Sequence, residues 1–208
     1  MAKWISPSAA MNMVFDDPAR VGSDSDFGFA ILWASDGKGR DHSVADLARA
    51  KLQPCKPGTN ALASQTAGWP TTACDYRLVL ARGVPDISAR ELTEAYDRAE
   101  GGQNLLAIVQ TLRFDADLPR HAMMHAAYMY AAMSLQPKRL SSIIVQHMPS
   151  DARSVRAPHV HVLTLARTHR LSGFGEVHSI FDDSPAQMHR AFETDWRKVR
   201  DALVSIGA

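Results

Sequence analysis

Cysteine is scarce. The 208 residues hold two, Cys55 and Cys74, which form no metal or redox motif. That scarcity suits a reduced intracellular setting, with one bridge at most. No stretch approaches the ~20 consecutive apolar residues that a membrane-spanning helix needs. Met1 to Ala10 lacks the long apolar run of a secretory signal. The expectation is a soluble, cytoplasmic protein with no membrane partner. An excess of charge is also missing: the formal net charge is +1, so overall electrostatics do not mark a nucleic-acid binder. No internal repeat is present. The Gly-x-Gly fragment at Gly173 to Gly175 is too short for a nucleotide loop and reads as a turn between strands.

Against these absences stands an apolar fraction of 46%, ordinary for a chain that buries a sizeable core. Residues 1–72 are rich in Ser, Gly, Asp, Pro and Ala and read as a partly irregular N-terminal extension. Phe27 to Ala34 is a plausible strand, and a short helix follows with Ser43 as its cap. The segment from Gln53 to Thr72 reads as a loop or linker. From Tyr76 the pattern tightens into a second unit, residues 73–208. Tyr76 to Ala81 is a strand. Ser88 and Glu91 make a capping box for a helix that Gly101 and Gly102 end. Leu105 to Phe114 is an apolar-rich strand. A helix opens at Pro119 and stops before Pro137. Phe174 to Phe181 is a short strand, and a long helix from Ser184-Pro185 closes the chain. Strands alternating with helices, with one hairpin among them, predict an α+β fold: a mainly antiparallel sheet with helices packed on one face.

The most informative stretch is SIIVQHMPSDARSVRAPHVHVLTLAR. It reads as a strand over 142–148, a ten-residue polar connection with two prolines, and a second strand over 159–166. An antiparallel hairpin sets the end of the first beside the start of the second. Alternate residues of a strand share a face, so His159 and His161 project together and His147 can join them. Three imidazoles on one face make most of a divalent-metal site with positions left open for substrate oxygens. A single such histidine would ordinarily be a lone polar residue on a half-buried strand; a His-Val-His with a third His at hairpin distance argues for metal. A histidine triad would need another His where Leu163 stands, and a two-histidine phosphoesterase would need His-x-Thr or His-x-Ser.

Together, PHVHVLTLAR and the GFGEV that follows resemble the metal-binding region of plasmid mobilisation relaxases of the MobA/MobL type, which are His-hydrophobe-His (HUH) endonucleases. The similarity runs back through LTEAYDRAEGGQNLLAIVQTLRFDADLPRHAMMHAAYMYAAM and forward through FDDSPAQMHRAFETDWRKVRDALVSIGA, with Trp196 in the expected place, and covers roughly residues 74 to 208. The resemblance implies a palm-like sheet, single-stranded DNA as substrate, mobilisation accessory proteins as partners and a role in conjugation. It implies Mg²⁺ or Mn²⁺ at the trio in function, with Zn²⁺ or Ni²⁺ as isolated. It also implies that Asp115 orients a ligand or accepts a proton, and that an N-terminal tyrosine, in a helix soon after the first strand, attacks the phosphate. Residues 1–75 contain no tyrosine. Tyr128 and Tyr130 are the first candidates for that role, Tyr76 the next, and Tyr96 belongs to an amphipathic helix. Arg153, Arg156, Arg167 and Arg170, with Lys138 and Arg139, cluster in sequence around the histidines and can hold a phosphate backbone. His121 and His125 share a helix face without a third ligand. Met123, Met124, Met129 and Met133 read as core filler.

Three functions stay open on this reading. The first is a relaxase-like, metal-dependent DNA-processing domain. The second is a degenerate relaxase fold that only binds nucleic acid or a partner. The third is a small metal-dependent phosphodiesterase.

Overall fold

A computed structural model describes residues 4–16, 26–36, 39–58, 68–99, 104–148 and 157–206. The elements in chain order are α1 (Pro7–Met11), β1 (Val14–Asp16), β2 (Phe27–Trp33), α2 (Val44–Leu52), β3 (Asp75–Val79), α3 (Ala89–Arg98), β4 (Leu105–Arg113), α4 (Arg120–Tyr130), β5 (Ser142–His147), β6 (His159–Leu165), β7 (Arg167–Arg170), β8 (Gly173–Val177) and α5 (Pro185–Ile206). Six strands form one sheet in the order β1-β2-β4-β6-β5-β3, and every neighbouring pair is antiparallel. The fold is α+β with a palm-like antiparallel sheet.

The sheet follows from local sequence. β4 and β6 alternate between two apolar faces rather than between an apolar and a polar one, because helices cover both. Ile108, Leu112, Ile144, Val160 and Val162 face α4 and α5 in one core with Tyr130, Phe192 and Trp196. Ala107, Val109, Ile143, Val145, Leu163 and Leu165 face α2 and α3 in a second core with Leu47, Leu52 and Leu92. The expected one-faced layering is therefore corrected to two. A strand apolar on both faces signals burial on both. β2 lies between β1 and β4 and pairs with β4 along its whole length, and Leu47 and Leu52 of α2 are buried. The segment read as an N-terminal extension thus supplies β1 and β2 to the same sheet and α1 and α2 to one of its cores.

The local signals mostly hold. Ser43 accepts from the Asp46 amide to cap α2, and Ser88 with Glu91 forms the capping box of α3. Asp97 of α3 adds a tertiary cap by accepting from the Val44 and Ala45 amides at the start of α2. α4 runs on through a π-helical turn (Ala131–Leu135) and a 3₁₀ turn (Gln136–Lys138) up to Arg139. Phe174 to Phe181 splits into β8 and a 3₁₀ turn, and β7, which pairs with it, extends the region beyond the single expected strand. Gly173, at φ 109°, makes the turn between β7 and β8, a conformation that glycine adopts without penalty. No helix among the described residues is long and apolar enough to cross a membrane.

Candidate metal centre

Backbone pairing places the histidines. His147 of β5 lies opposite His159 of β6, and Val145 opposite His161. On the other side of β6, Thr111 and Arg113 of β4 lie opposite His161 and His159. Directly paired residues share a face, so two rows cross this end of the sheet. One runs Gly28, Thr111, His161, Val145, Tyr76 over five strands; the other runs Arg113, His159, His147. Because Val145 belongs to the core beneath α2 and α3, both rows lie on the α2 side.

One ligand nitrogen from each of His147, His159 and His161 lies within 4.8 Å of the others, and the three form the only such metal-capable group among the described residues. The ring centroids are 4.8–5.3 Å apart. His161 is buried and the other two are half-buried. Each ring also makes a hydrogen bond through one of its nitrogens. His147 Nε2 donates to the Lys51 carbonyl at 2.7 Å, His159 Nδ1 donates to the Ala157 carbonyl at 2.9 Å, and His161 Nδ1 pairs with Thr111 Oγ1 at 3.0 Å. The two backbone carbonyls hold a proton on His147 Nε2 and on His159 Nδ1, and such contacts orient metal-ligating histidines. Divalent ions take imidazole nitrogens at ~2.1 Å, and three such nitrogens within 4.8 Å of one another can converge on one ion. The residues present therefore fit a metal ion, whose kind the donors alone do not fix.

Burial, first of all, holds the His161 imidazole well below the ordinary histidine range. The charges of Lys51, His147, His159 and Arg113 push in the same direction. The Lys51 Nζ stands 3.4 Å from His161 Nε2, and the Lys51 carbonyl that holds His147 belongs to the last turn of α2, the helix end that favours cations. The Arg113 guanidinium lies over Gly28, where an added Cβ would meet its terminal nitrogens at 3.3 Å.

The remaining sequence candidates scatter. Asp115 is exposed beyond the end of β4, outside the histidine group. Tyr128 and Tyr130 belong to α4, on the sheet's other face; Tyr130 is fully buried and its hydroxyl donates to the Phe192 carbonyl at 3.4 Å. Tyr96 is buried against Phe174. Tyr76 alone among the tyrosines shares the trio's sheet face while remaining 37% exposed. Arg153 and Arg156 lie outside the described residues. Arg167 follows the far end of β6, ~20 Å from His161 at strand spacing, and is tied to the carbonyls of Gly175 and Ala99. Arg170 lines a cleft of about 510 Å³ with Arg82 and Arg139, also beyond that end. His121 and His125 are exposed. Met123 and Met124 are core, whereas Met133 is exposed.

Sequence reasoning missed Thr111, Arg113 and Lys51. Thr111 and Arg113 had a signal, since alternate positions on an apolar strand lie on the face of whatever strand pairs with it. Lys51 had none, being 110 residues from His161.

Burial also pushes His169 down, where it stacks on Phe174 at 4.1 Å, and pushes His178 down. A histidine held neutral in the fold binds its proton more readily once unfolded, near pH 6.5. The stabilisation is thus complete above that pH and lost as pH falls through the lower folded value. His161 carries the same sign. The melting temperature of the protein in chelator should therefore drop between about pH 7 and about pH 5. A flat or rising value over that window would contradict the assignment.

Comparison with known proteins adds a fold likeness. No family model matches the sequence, and no curated protein matches it. A solved structure described as "Molecular Basis of Vancomycin Resistance Transfer in Staphylococcus aureus" superposes with a TM-score of 0.52 at 13% identity, covering 65% of this chain and 72% of that one. At that identity the likeness speaks for the fold. Fold and site together define a palm-like α+β protein with a three-histidine group able to hold a metal ion.

Proposed function

We propose that this chain is a relaxase-like domain that binds single-stranded DNA at a metal held by His147, His159 and His161. The carrying observation is the trio itself, with one ligand nitrogen per ring within 4.8 Å of the others and each ring held by a hydrogen bond. The resemblance to MobA/MobL-type relaxases and the likeness to a structure concerned with resistance transfer support the same reading. Mg²⁺ or Mn²⁺ is the ion in function, with Zn²⁺ or Ni²⁺ as isolated. When bound, it polarises a non-bridging oxygen of the phosphodiester. The protein's own part is to orient the rings through Thr111 and the carbonyls of Lys51 and Ala157. Mobilisation accessory proteins are the partners this reading implies.

The nucleophile is the weak point of a full transfer reaction. The resembling relaxases carry it on a helix soon after the first strand. Here α2 follows β2, and the residue it brings to the trio is Lys51, not a tyrosine. In-line attack needs a hydroxyl held against the phosphate. We therefore expect metal-dependent DNA binding with little or no covalent adduct when the protein meets a hairpin-bearing origin oligonucleotide and Mn²⁺ on a denaturing gel. If a strong adduct forms and Tyr76→Phe removes it, the protein is a complete relaxase with Tyr76 as nucleophile. Asp115 would then be the candidate orienting carboxylate.

A second reading, binding without nicking, is favoured by the position of Lys51. DNA bound with metal but never cleaved would establish it. Cleavage of a generic phosphodiester in place of DNA would point instead to a small phosphodiesterase.

A further inference from the structure

We infer that Lys51 and Arg113 contact backbone phosphates on either side of the trio, and that they make metal binding and single-stranded DNA binding depend on each other. This rests on the metal-site reading above. Lys51 reaches the trio from the end of α2, above β5 and β6, with its ammonium directed at the Nε2 that His161 would offer a metal. Arg113 approaches from β4, one strand beyond His159, and extends toward β2 because Gly28 leaves that surface open. The two cations thus bracket the histidines across the sheet end.

Three positive groups on one small face repel one another. A divalent ion at the trio must displace the Lys51 ammonium from the His161 lone pair and then sit beside it and the Arg113 guanidinium. A phosphodiester backbone resolves this conflict. Its central phosphate faces the metal, and the neighbouring phosphates receive the displaced ammonium and the guanidinium. Linkage then requires that DNA tighten metal binding by the same factor as metal tightens DNA binding. Gly28 is part of the device, since a Cβ there would crowd both Thr111 Cβ at 3.2 Å and the guanidinium at 3.3 Å.

The roles predict effects of opposite sign, which simple damage to the fold would not give. With the full chain, Lys51→Met should bind Mn²⁺ several-fold more tightly than wild type in calorimetry without DNA. In the presence of Mn²⁺ it should bind a short fluorescent single-stranded oligonucleotide more weakly. The slope of log affinity against log salt should flatten by about 0.7, the value for one lost phosphate contact on single-stranded DNA. Arg113→Gln should flatten the slope similarly while keeping one Mn²⁺ per chain, and Arg113→Lys should restore it. Gly28→Ala should behave as a weaker Arg113→Gln. If Lys51→Met binds Mn²⁺ no more tightly than wild type, or both variants keep the wild-type slope, the inference is overturned while the metal site stands. If wild type binds no Mn²⁺ at all, the metal-site reading itself fails.

Discussion

Replacing His159 and His161 together by Ala should abolish stoichiometric binding of a divalent ion in calorimetry. A structural or catalytic site needs three or four protein ligands, and the double variant keeps only His147. No other metal-capable group lies among the described residues. The fold should survive, since His159 is half-buried at the start of β6 and the flanking Val160, Val162 and Leu163 still fill both cores. The supporting contacts should matter in proportion. Thr111→Val removes the hydrogen-bonding partner of His161 Nδ1, and loss of such an outer partner typically weakens metal binding about 10–100-fold. Full stoichiometric binding by the double variant would end the metal-site reading.

The second large effect concerns the N-terminal part. A chain beginning at residue 73 should fail to fold cooperatively. It would lack Phe27 and Ile31 of β2 and Val44, Leu47 and Leu52 of α2, all at most 2% exposed in the whole protein. Fully burying such a side chain is worth roughly 1.5–3 kcal/mol, so five of them match the ~5–15 kcal/mol of net stability that a whole domain has. β4 would also become an unpaired edge, exposing backbone donors and acceptors that β2 now satisfies. The histidines would lose Lys51, whose carbonyl holds the His147 ring. The check is a thermal melt followed by near-ultraviolet circular dichroism, with metal binding as a second readout. A cooperative transition and intact metal binding in the truncated chain would show that residues 73–208 stand alone.

Much of this protein is legible from local pattern. The hairpin that carries the histidines, the strand over 105–113 and the capped helices at 44–52 and 89–98 follow from period-two alternation, capping residues and Pro or Gly stops, all short-range effects. Other features depend on partners that no local window contains. The π-helical continuation of α4 has no local signature that we can name. Tyr128 and Tyr130 looked able to reach the histidines along the sequence, but helical packing sends them to the other face, where Tyr130 completes a core with Trp196. The arginines near the histidines in sequence divide in the same way. Seven residues of extended β6 carry Arg167 away from His159, whereas Arg113, 46 positions before His159 in the chain, lies opposite it in the sheet.

The sequence by itself determined the metal-capable trio, because a His-x-His on a strand and a third His across a hairpin need only strand geometry to converge. It determined the α+β class as well, through the order of its strands and helices. The tertiary structure decided what surrounds the trio. Antiparallel register set Thr111 and Arg113 beside it, and the packing of α2 on the sheet brought Lys51 to His161. The packing of α4 on the opposite face separated Tyr128 and Tyr130 from Tyr76 and the trio. These are long-range contacts fixed by burying two apolar faces at once, and no periodicity within a single segment records which distant segment does the covering.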